Sequence, residues 1–275
     1  MKIAIQGQKG SFHYAVAEHY FGAEVQIVCL DTFVAEAHAL LDHRVDAAVI
    51  AIENSIAGSI LPNYHILQNR ELKVVGEYFL QIEQCLMALP GVALEEINTV
   101  SSHPIALLQC EAYLDAHPLW RRIQSEDTAL SAQQVQQEQL HTTAAIASQT
   151  SAELYGLNIL ARGINTIKNN YTRFLIVSRA ERTDFDTTEP DKASMFFKVP
   201  HQSGSLGKIL RIIELYDLNM SKLQSYPIPE DPFRYNFHLD VEFSSRASFE
   251  AASALIDRHT EEFAVYGIYK NGNKL

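Results

Sequence analysis

The order in which short apolar runs and helical patterns follow one another constrains this fold more than any other feature. Over the first 180 residues the two alternate, and the clearest apolar runs read KIAIQ at 2–6, AAVIAIE at 47–53, TAAIA at 143–147 and FLIVS at 174–178. Strands that are joined through helices return in the same direction, so this alternation predicts an α/β fold with parallel sheets.

A polar segment at Glu181–Lys192 ends the alternation. It reads ERTDFDTTEPDK and contains Pro190, which is typical of a linker. The patterns after it follow the order strand, helix, strand, strand, helix, strand, which is the ferredoxin-like βαββαβ arrangement. The chain is therefore predicted to have one domain at 1–182, a linker at 183–192 and a second domain at 193–275.

Composition limits the classes of partner. Hydrophobic residues make up 47% of the chain and charged residues 20%, as in ordinary globular proteins. The net charge is −11 and the basic residues form no cluster, so we expect no nucleic-acid partner. The sequence has neither a run of 18 apolar residues nor the apolar core of a signal peptide, and we expect no membrane span and a cytoplasmic location.

Cysteine and histidine patterns argue against a metal. The 3 cysteines form no CxxC pair, and the 11 histidines form no HExxH motif. We expect free thiols, no metal site and no redox cofactor.

A glycine-rich tip follows the first predicted strand. The segment Gly7–Phe12 reads GQKGSF and leads into a helix that is predicted to begin at Ser11. Glycines allow close approach of a ligand, and a helix N-terminus offers free N–H groups to a carboxylate. The alternative is an ordinary strand-to-helix turn that needs glycine.

A second polar tip follows the buried strand at 47–53. Here Asn54 and Ser55 can donate hydrogen bonds to a carboxylate, and Gly58 permits close approach. The alternative is the start of a helix that Ser59 caps.

A third tip reads SSHP at 101–104 and precedes a helix that is predicted from Pro104 to about His117. We predict that Ser102 contacts the ligand and that His103 orients a neighbour or caps the turn. Gln109, further along the helix, can turn its amide toward a cleft.

The fourth tip is Asn169–Phe174, before the last strand of the first domain. The guanidinium of Arg173 can pair bidentately with a carboxylate, and Thr172 can donate its hydroxyl proton. The alternative for Arg173 is a surface salt bridge. Taken together, the four tips predict a site for a small polycarboxylate in the first domain.

These segments also carry a family resemblance. GQKGSF (7–12), AIENSIAGSI (51–60), SHPIALLQC (102–110), AAIAS (144–148) and NYTRF (170–174) resemble, in this order, the prephenate dehydratase family. The resemblance extends over nearly the whole chain. It implies a catalytic domain of two lobes, similar to periplasmic binding proteins, with the site in the cleft. It also implies the reaction, a lyase step of phenylalanine biosynthesis in which prephenate loses CO2 and hydroxide to give phenylpyruvate, without a cofactor.

Residue roles follow from the resemblance at matching positions. It implies that Thr172 is catalytic, that Asn54 and Gln109 are catalytic or bind prephenate, and that Arg173 binds a carboxylate. Glu53 is a further candidate acid if burial raises its pKa. The remaining residues predicted to bind substrate are Ser11, Ser55, Gly58, Ser102, His103 and Phe174.

The resemblance further implies that the second domain is of the ACT type, which assembles subunits and binds phenylalanine. Gly204 and Leu206 lie in its glycine-led turn, and Gln224, Ser225 and Pro227 match a Glu-Ser-Arg-Pro motif whose Glu and Arg are replaced here by Gln224 and Tyr226. We expect L-phenylalanine as an effector with altered affinity, and a homodimer or homotetramer. The alternative is a purely structural dimerisation domain.

Two other functions stay open at this point. Arogenate dehydratase differs only in a substrate that carries an amino group where prephenate has a keto group. A non-catalytic sensor that binds a small carboxylate between two lobes would have no need of Thr172. Because no chorismate mutase region precedes the motifs, we expect a monofunctional enzyme.

Overall fold

The computed structural model of the chain describes residues 1–185, 189–228 and 231–272. Part of the predicted linker, at 186–188, lies outside the described residues. Within these ranges the strands form three sheets, two in the first 182 residues and one in the C-terminal part.

The first lobe contains most of the first sheet. Its elements are β1 (Lys2–Gln6), α1 (Phe12–Phe21), β2 (Gln26–Leu30), α2 (Phe33–Leu41), β3 (Ala47–Asn54), β4 (Gly58–Ser59), α3 (Leu61–Leu67) and β5 (Leu72–Gln81). The second lobe follows, with β6 (Cys85–Ala88), a 3-10 turn (Leu94–Glu96), β7 (Thr99–Ser102), α4 (Pro104–Gln109), α5 (Glu111–Asp115), β8 (Arg121–Gln124), α6 (Thr128–Gln137), β9 (Thr143–Ala147), α7 (Gln149–Tyr155) and β10 (Asn158–Ala161). The chain then returns to the first sheet as β11 (Tyr171–Arg179).

The prediction of parallel sheets is only partly right. The first sheet has the order β2-β1-β3-β11-β5, with β1, β2 and β3 parallel but β11 antiparallel to both of its neighbours. The second sheet, β10-β6-β9-β7-β8, likewise has two antiparallel pairings, β10 with β6 and β6 with β9. The reason is the two-lobed path: β5 leads out of the first lobe and β11 leads back, so the returning strand runs in the opposite direction.

The two segments that connect the lobes are hydrogen-bonded to each other. The N–H of Ile82 donates to the carbonyl of Asn170 at 2.7 Å, and the N–H of Gln84 donates to Oδ1 of Asn165 at 2.7 Å. Nδ2 of Asn165 in turn donates to the carbonyl of Ile82 at 3.1 Å. The outgoing and returning segments therefore form one paired connection.

The helix predicted from Pro104 to about His117 is interrupted at Cys110. Thr166, from the returning segment, explains the break: its N–H donates to the carbonyl of Gln109 at 2.8 Å, and its Oγ1 accepts from the N–H of Ala112 at 3.2 Å. These contacts occupy backbone groups that would otherwise continue the helix.

The C-terminal part has the predicted strand and helix order. It contains β12 (Lys192–Lys198), α8 (Ser205–Leu215), β13 (Asn219–Ile228), β14 (Asp231–Glu242), α9 (Arg246–Asp257) and β15 (Glu262–Tyr269). The sheet order is β13-β14-β12-β15 with antiparallel neighbours, as expected of a βαββαβ unit.

The C-terminal sheet packs directly on the first lobe. One hydrophobic cluster includes Leu72 and Leu175 from the first lobe together with Phe196, Tyr226 and Tyr269 from the C-terminal sheet. At Gly267, on β15, a Cβ atom would lie 1.9 Å from the carbonyl oxygen of Val74, so only glycine permits this approach. The two parts share a core. No described helix is long and apolar enough to cross a membrane.

Candidate active site

A cavity of about 420 Å³ lies between the two lobes. The first lobe contributes the start of α1, the end of β3 and the start of β11, and the second lobe contributes α4 and the start of α6. Six of the predicted site residues line it: Ser11, Asn54, His103, Gln109, Thr172 and Phe174.

The side chain of Asn54 is held in one orientation. Its Oδ1 accepts from the N–H groups of Ile56 and Ala57 at 3.0 and 2.9 Å. Its Nδ2 donates to Oδ1 of Asn170 at 2.7 Å and to Oγ1 of Thr172 at 3.0 Å. Because the two backbone donors fix the amide oxygen, the amide nitrogen must face Thr172.

The hydrogen bond from Asn54 determines the direction in which the Thr172 hydroxyl can donate its proton. Thr172 is paired with Asn54 across the β3–β11 ladder and is 8% exposed at the cavity wall. Since its oxygen already accepts from Asn54, its proton points away from Asn54 and is free to donate to a ligand.

The sequence analysis did not identify His13, the second residue of α1, which lines the cavity. Its ring stands edge-on to Phe174 with centroids 5.0 Å apart, and its Nε2 is buried without a partner among the described residues. Burial lowers the pKa of His13 to about 4, so the imidazole is neutral at neutral pH. Its position two residues after the predicted cap Ser11 was the available signal.

Two carboxylates, also missed, face the cavity from the second lobe. Oδ1 of Asp127 caps α6 by accepting from the N–H groups of Ala129 and Leu130 at 2.7 and 3.0 Å, and Glu126 precedes it. Burial raises the pKa of Asp127. Among the described lining residues there is no lysine or arginine. An Asp before a helical pattern is a cap signal that could have placed Asp127 at this tip.

Gln109 lies beside a second amide. Nε2 of Gln84, on the outgoing segment between the lobes, is 3.4 Å from Oε1 of Gln109, and both side chains line the cavity. His103 lines it as well, and its Nδ1 accepts from the N–H of Ile105 at 3.2 Å, so it caps α4 as predicted.

The structure corrects the prediction for Arg173. Its Nε donates to Glu77 at 2.6 Å, its Nη1 is bonded to Asp240, and its Nη2 donates to the Tyr269 hydroxyl at 3.1 Å. The residue is 5% exposed and does not line the cavity. The physical reason is strand alternation: Thr172 and Phe174 face the cavity, so Arg173 between them faces the opposite side.

Glu53 is corrected for the same reason. It precedes Asn54 on β3, and its Oε1 accepts from Nζ of Lys222 at 2.5 Å, on the side of the C-terminal sheet. Its carboxyl group does not reach the cavity.

Three further predicted residues lie near the cavity without lining it. Ser102 is fully buried and donates to the carbonyl of Ile146 at 2.6 Å, which makes its role structural. Oγ of Ser55 accepts from the N–H of Tyr171 at 2.9 Å and so anchors the start of β11. Gly58, the first residue of β4 after the tight turn, has φ +84°, and Ser59 also belongs to β4 and caps no helix.

A second cavity, of about 250 Å³, lies in the C-terminal part. Gly204 and Leu206 line it, but Gln224, Ser225 and Pro227 do not. Instead, Oε1 of Gln224 accepts from Oγ of Ser59 at 2.8 Å, on the first lobe. Within one chain the structure therefore separates the two halves of the predicted effector site.

The fold and cavity define a class: a two-lobed α/β protein whose cleft is lined by both apolar and polar side chains, to which a βαββαβ unit is fused. Comparison with known proteins names the family. A family model described as prephenate dehydratase matches residues 3–182. Arogenate dehydratase/prephenate dehydratase 2, chloroplastic, from Arabidopsis thaliana is 37% identical over 275 residues, covering 97% of this chain and 71% of the relative.

Two solved structures are similar over the whole length. Prephenate dehydratase from Arthrobacter aurescens in complex with L-Phe has a TM-score of 0.88 at 26% identity, covering 98% of this chain and 90% of the other. GqqA, described as a novel type of quorum quenching acylase, has a TM-score of 0.88 at 28% identity and 98% coverage of both chains. The chain belongs to the prephenate dehydratase family.

Proposed function

We propose that this chain converts prephenate to phenylpyruvate, with the Thr172 hydroxyl as the hydrogen-bond donor to the departing hydroxide. The observation that carries the assignment is the Asn54–Thr172 hydrogen bond of 3.0 Å at the cavity wall, because it directs the hydroxyl proton away from Asn54. Family membership supports the reaction itself.

The reaction divides into two bond cleavages. The bond between the ring and its carboxylate breaks and releases CO2, and its electron pair enters the ring. The C4–O bond breaks, and the hydroxide leaves while it is hydrogen-bonded to the Thr172 hydroxyl; bulk water then supplies the proton that neutralises it. The ring becomes aromatic, which drives the reaction. The protein must orient the substrate and stabilise the charge on the leaving oxygen.

Thr172 is too weak an acid to transfer its proton to the C4 hydroxyl group of the bound substrate. It acts as an oriented donor whose hydrogen bond strengthens as negative charge develops on the oxygen. A bond that is stronger in the transition state than in the bound substrate lowers the barrier.

The substrate carboxylates need partners other than Arg173. The N–H groups of Phe12 and His13, in the first turn of α1, have no partner within the helix, and both residues line the cavity. A helix N-terminus favours an anion, so this turn would seat the pyruvyl carboxylate beside Ser11.

The test is phenylpyruvate formation from prephenate by the purified protein. Thr172→Ala is expected to lower kcat by about 10²–10⁴-fold, the usual contribution of such a donor, and Thr172→Ser to retain most of it. Thr128→Ala is the matched control, since Thr128 also lines the cavity. Full activity in Thr172→Ala would move the donor role to another group, and a wild type that is inactive with both prephenate and arogenate would favour the ligand sensor.

Arogenate is the second candidate substrate, and one observation favours it. Glu126 and Asp127 face the cavity, and arogenate offers an ammonium group to carboxylates where prephenate has a keto group. Asp127→Asn keeps a good helix cap but removes the charge. If arogenate is used, kcat/KM for arogenate relative to prephenate should fall about tenfold in this variant. An unchanged ratio would count against an ammonium contact at Asp127.

The acylase activity named for the similar solved structure finds less support here. Acyl transfer by a hydroxyl needs an adjacent base. Among the described cavity residues, Oγ of Ser11 accepts from the N–H of Tyr14 and Oγ1 of Thr172 accepts from Asn54, and neither hydroxyl is bonded to an imidazole.

Regulation is proposed for the C-terminal part. Residues 193–275 would form an ACT domain that binds L-phenylalanine in the cavity lined by Gly204 and Leu206. The similar prephenate dehydratase that was solved in complex with L-Phe supports L-phenylalanine as the effector. Activity that is unchanged at millimolar phenylalanine would favour a structural dimerisation domain. Light scattering would distinguish the expected homodimer or homotetramer from a monomer. The cytoplasmic location and the roles of Gln224, Ser225 and Pro227 stay predictions.

A further inference from the structure

Two neighbouring rungs of the β3–β11 ladder face opposite sides of the first sheet. Thr172 is paired with Asn54, and Arg173 is paired with Glu53. The first rung lines the cavity, whereas the second reaches the C-terminal sheet. Because both rungs share the same two backbones, a displacement of the second rung also displaces the first.

We call the Glu53–Arg173 pair the outer rung. Its Arg173 end lies in a buried ion network. Arg173 contacts Glu77 on β5 and Asp240 on β14, and Lys192 on β12 donates to Glu77 at 2.8 Å. All four side chains are at most 5% exposed. Two positive and two negative groups balance, and removal of any one would leave a buried charge unpaired. This end is therefore a rigid attachment.

The Glu53 end is more accessible. Nζ of Lys222, on β13, donates to Glu53 at 2.5 Å and to Oγ of Ser59 at 2.8 Å. The side chains of Lys222 and Glu53 are 14% and 32% exposed. Both ends of the outer rung are thus held by the C-terminal sheet, the buried end permanently and the Glu53 end by a contact that a single substitution can remove.

We infer that Glu53 and Arg173 are positioning residues, through which the C-terminal sheet sets the geometry of the Asn54–Thr172 pair. The kinetic part of this inference rests on the proposed function, whereas the geometric part does not. Neither residue lines the cavity. A change at either residue should therefore alter the orientation of the Thr172 hydroxyl and not the affinity for substrate.

The kinetic experiment removes the accessible contact. Lys222→Ala is expected to lower kcat roughly 3- to 10-fold, with KM changed less than about twofold, and Lys222→Arg to restore most of the loss. Lys198→Ala is the matched control, because Lys198 is 22% exposed and its ion pairs among the described residues, at 4.0 and 3.8 Å to Asp231 and Glu261, lie within the C-terminal part. An equal loss in both variants, or a loss confined to KM, would overturn the inference.

A double-mutant test separates positioning from general destabilisation. If Lys222 acts through the Thr172 hydroxyl, Lys222→Ala should cause no further loss of the residual rate in a Thr172→Ala background. Losses that multiply would show that Lys222 acts by another route, and the inference would fail.

A structural readout needs no turnover. The side-chain amide signals of Asn54 in a ¹⁵N correlation spectrum, identified by their loss in Asn54→Asp, report its hydrogen bonds to Thr172 and Asn170. They should shift in Lys222→Ala and stay in place in Lys198→Ala. Unmoved signals in Lys222→Ala would overturn the inference whatever the reaction. Shifted signals in a protein that turns over neither prephenate nor arogenate would support it and reject the proposed function.

Discussion

At the scale of single residues, the polarity of one hydrogen bond matters most. Asn54 donates to Thr172, and this direction leaves the threonine proton for the substrate. Asn54→Asp would reverse the direction, because a carboxylate accepts the threonine proton. We expect kcat to fall about 100-fold or more, as for other lost transition-state donors.

The fold should survive this change. An Asp at position 54 still accepts from the N–H groups of Ile56 and Ala57, and Nδ2 of Asn170, which is buried without a partner among the described residues, can turn toward it. Steady-state kinetics together with thermal unfolding would test both points. Wild-type kcat in Asn54→Asp would refute the proposed direction of the bond.

Glu36 supplies a stability prediction with a definite sign. It is fully buried on α2, and both of its carboxyl oxygens lack a partner among the described residues. Burial raises the pKa of Glu36 well above its ordinary value. The folded state thus holds the proton more tightly than the unfolded state, so stability is greatest below the unfolded pKa and declines as pH rises above it.

Glu36→Met should therefore stabilise the protein at pH 7 by on the order of 1–3 kcal/mol and flatten the pH dependence between about pH 5 and 8. Urea unfolding of wild type and variant at both pH values is the measurement. A variant that is less stable than wild type at pH 7 would mean that the carboxyl group has a partner in solution.

Six of the residues that the sequence predicted for the site line the cavity. The wrong placement of Arg173 has one main cause. The last strand of the first domain was placed three residues late, at Phe174, so Arg173 was treated as a loop residue free to face the ligand. The strand begins at Tyr171, and alternation then directs Thr172 and Arg173 to opposite faces. Motif letters identify such residues but do not give the direction of a side chain.

At the scale of elements, the approach of β15 to β5 is the most sensitive contact. Gly267→Ala would place a methyl group against the Val74 carbonyl, and backbone atoms cannot move aside as a flexible side chain can. We expect a loss of roughly 2–4 kcal/mol in the free energy of unfolding. Gly207→Ala, in α8 with open space around its Cβ position, is the control and should be neutral or slightly stabilising. Equal stability of the two variants in denaturant titrations would contradict this packing.

The order of elements was largely predictable because hydrophobic period and turn residues are local signals. The direction of β11 was not, since it depends on the path of the chain through a whole second lobe. The break at Cys110 was also hidden, because Thr166, which causes it, lies more than 50 residues away in the chain. Long-range contacts override the local pattern in both cases.

At the scale of the whole molecule, the shared core predicts cooperative unfolding. The hydrophobic cluster that joins Leu175 to Phe196 and Tyr269, together with the buried Arg173 network, should make the first lobe and the C-terminal sheet unfold together. Calorimetry of the intact chain should give one transition for these parts, with matching van't Hoff and calorimetric enthalpies.

A fragment of residues 1–182 tests the same point. It would leave Arg173 without Asp240 and expose the apolar face of β5, so we expect loss of stability or aggregation. A fragment with the thermal stability of the full chain would show that the two cores are independent.

The paired connection between the lobes limits how the lobes can move relative to each other, and this affects access to the cleft. Two hydrogen-bonded segments permit the lobes to rotate relative to each other about one hinge axis. A sliding motion of one lobe along the other would break the hydrogen bonds at Ile82 and Gln84. We therefore expect the cleft to open at the rim opposite the connection. Prephenate would enter, and phenylpyruvate and CO2 would leave, through this same opening. The products of one turnover must then dissociate before the next substrate molecule can bind.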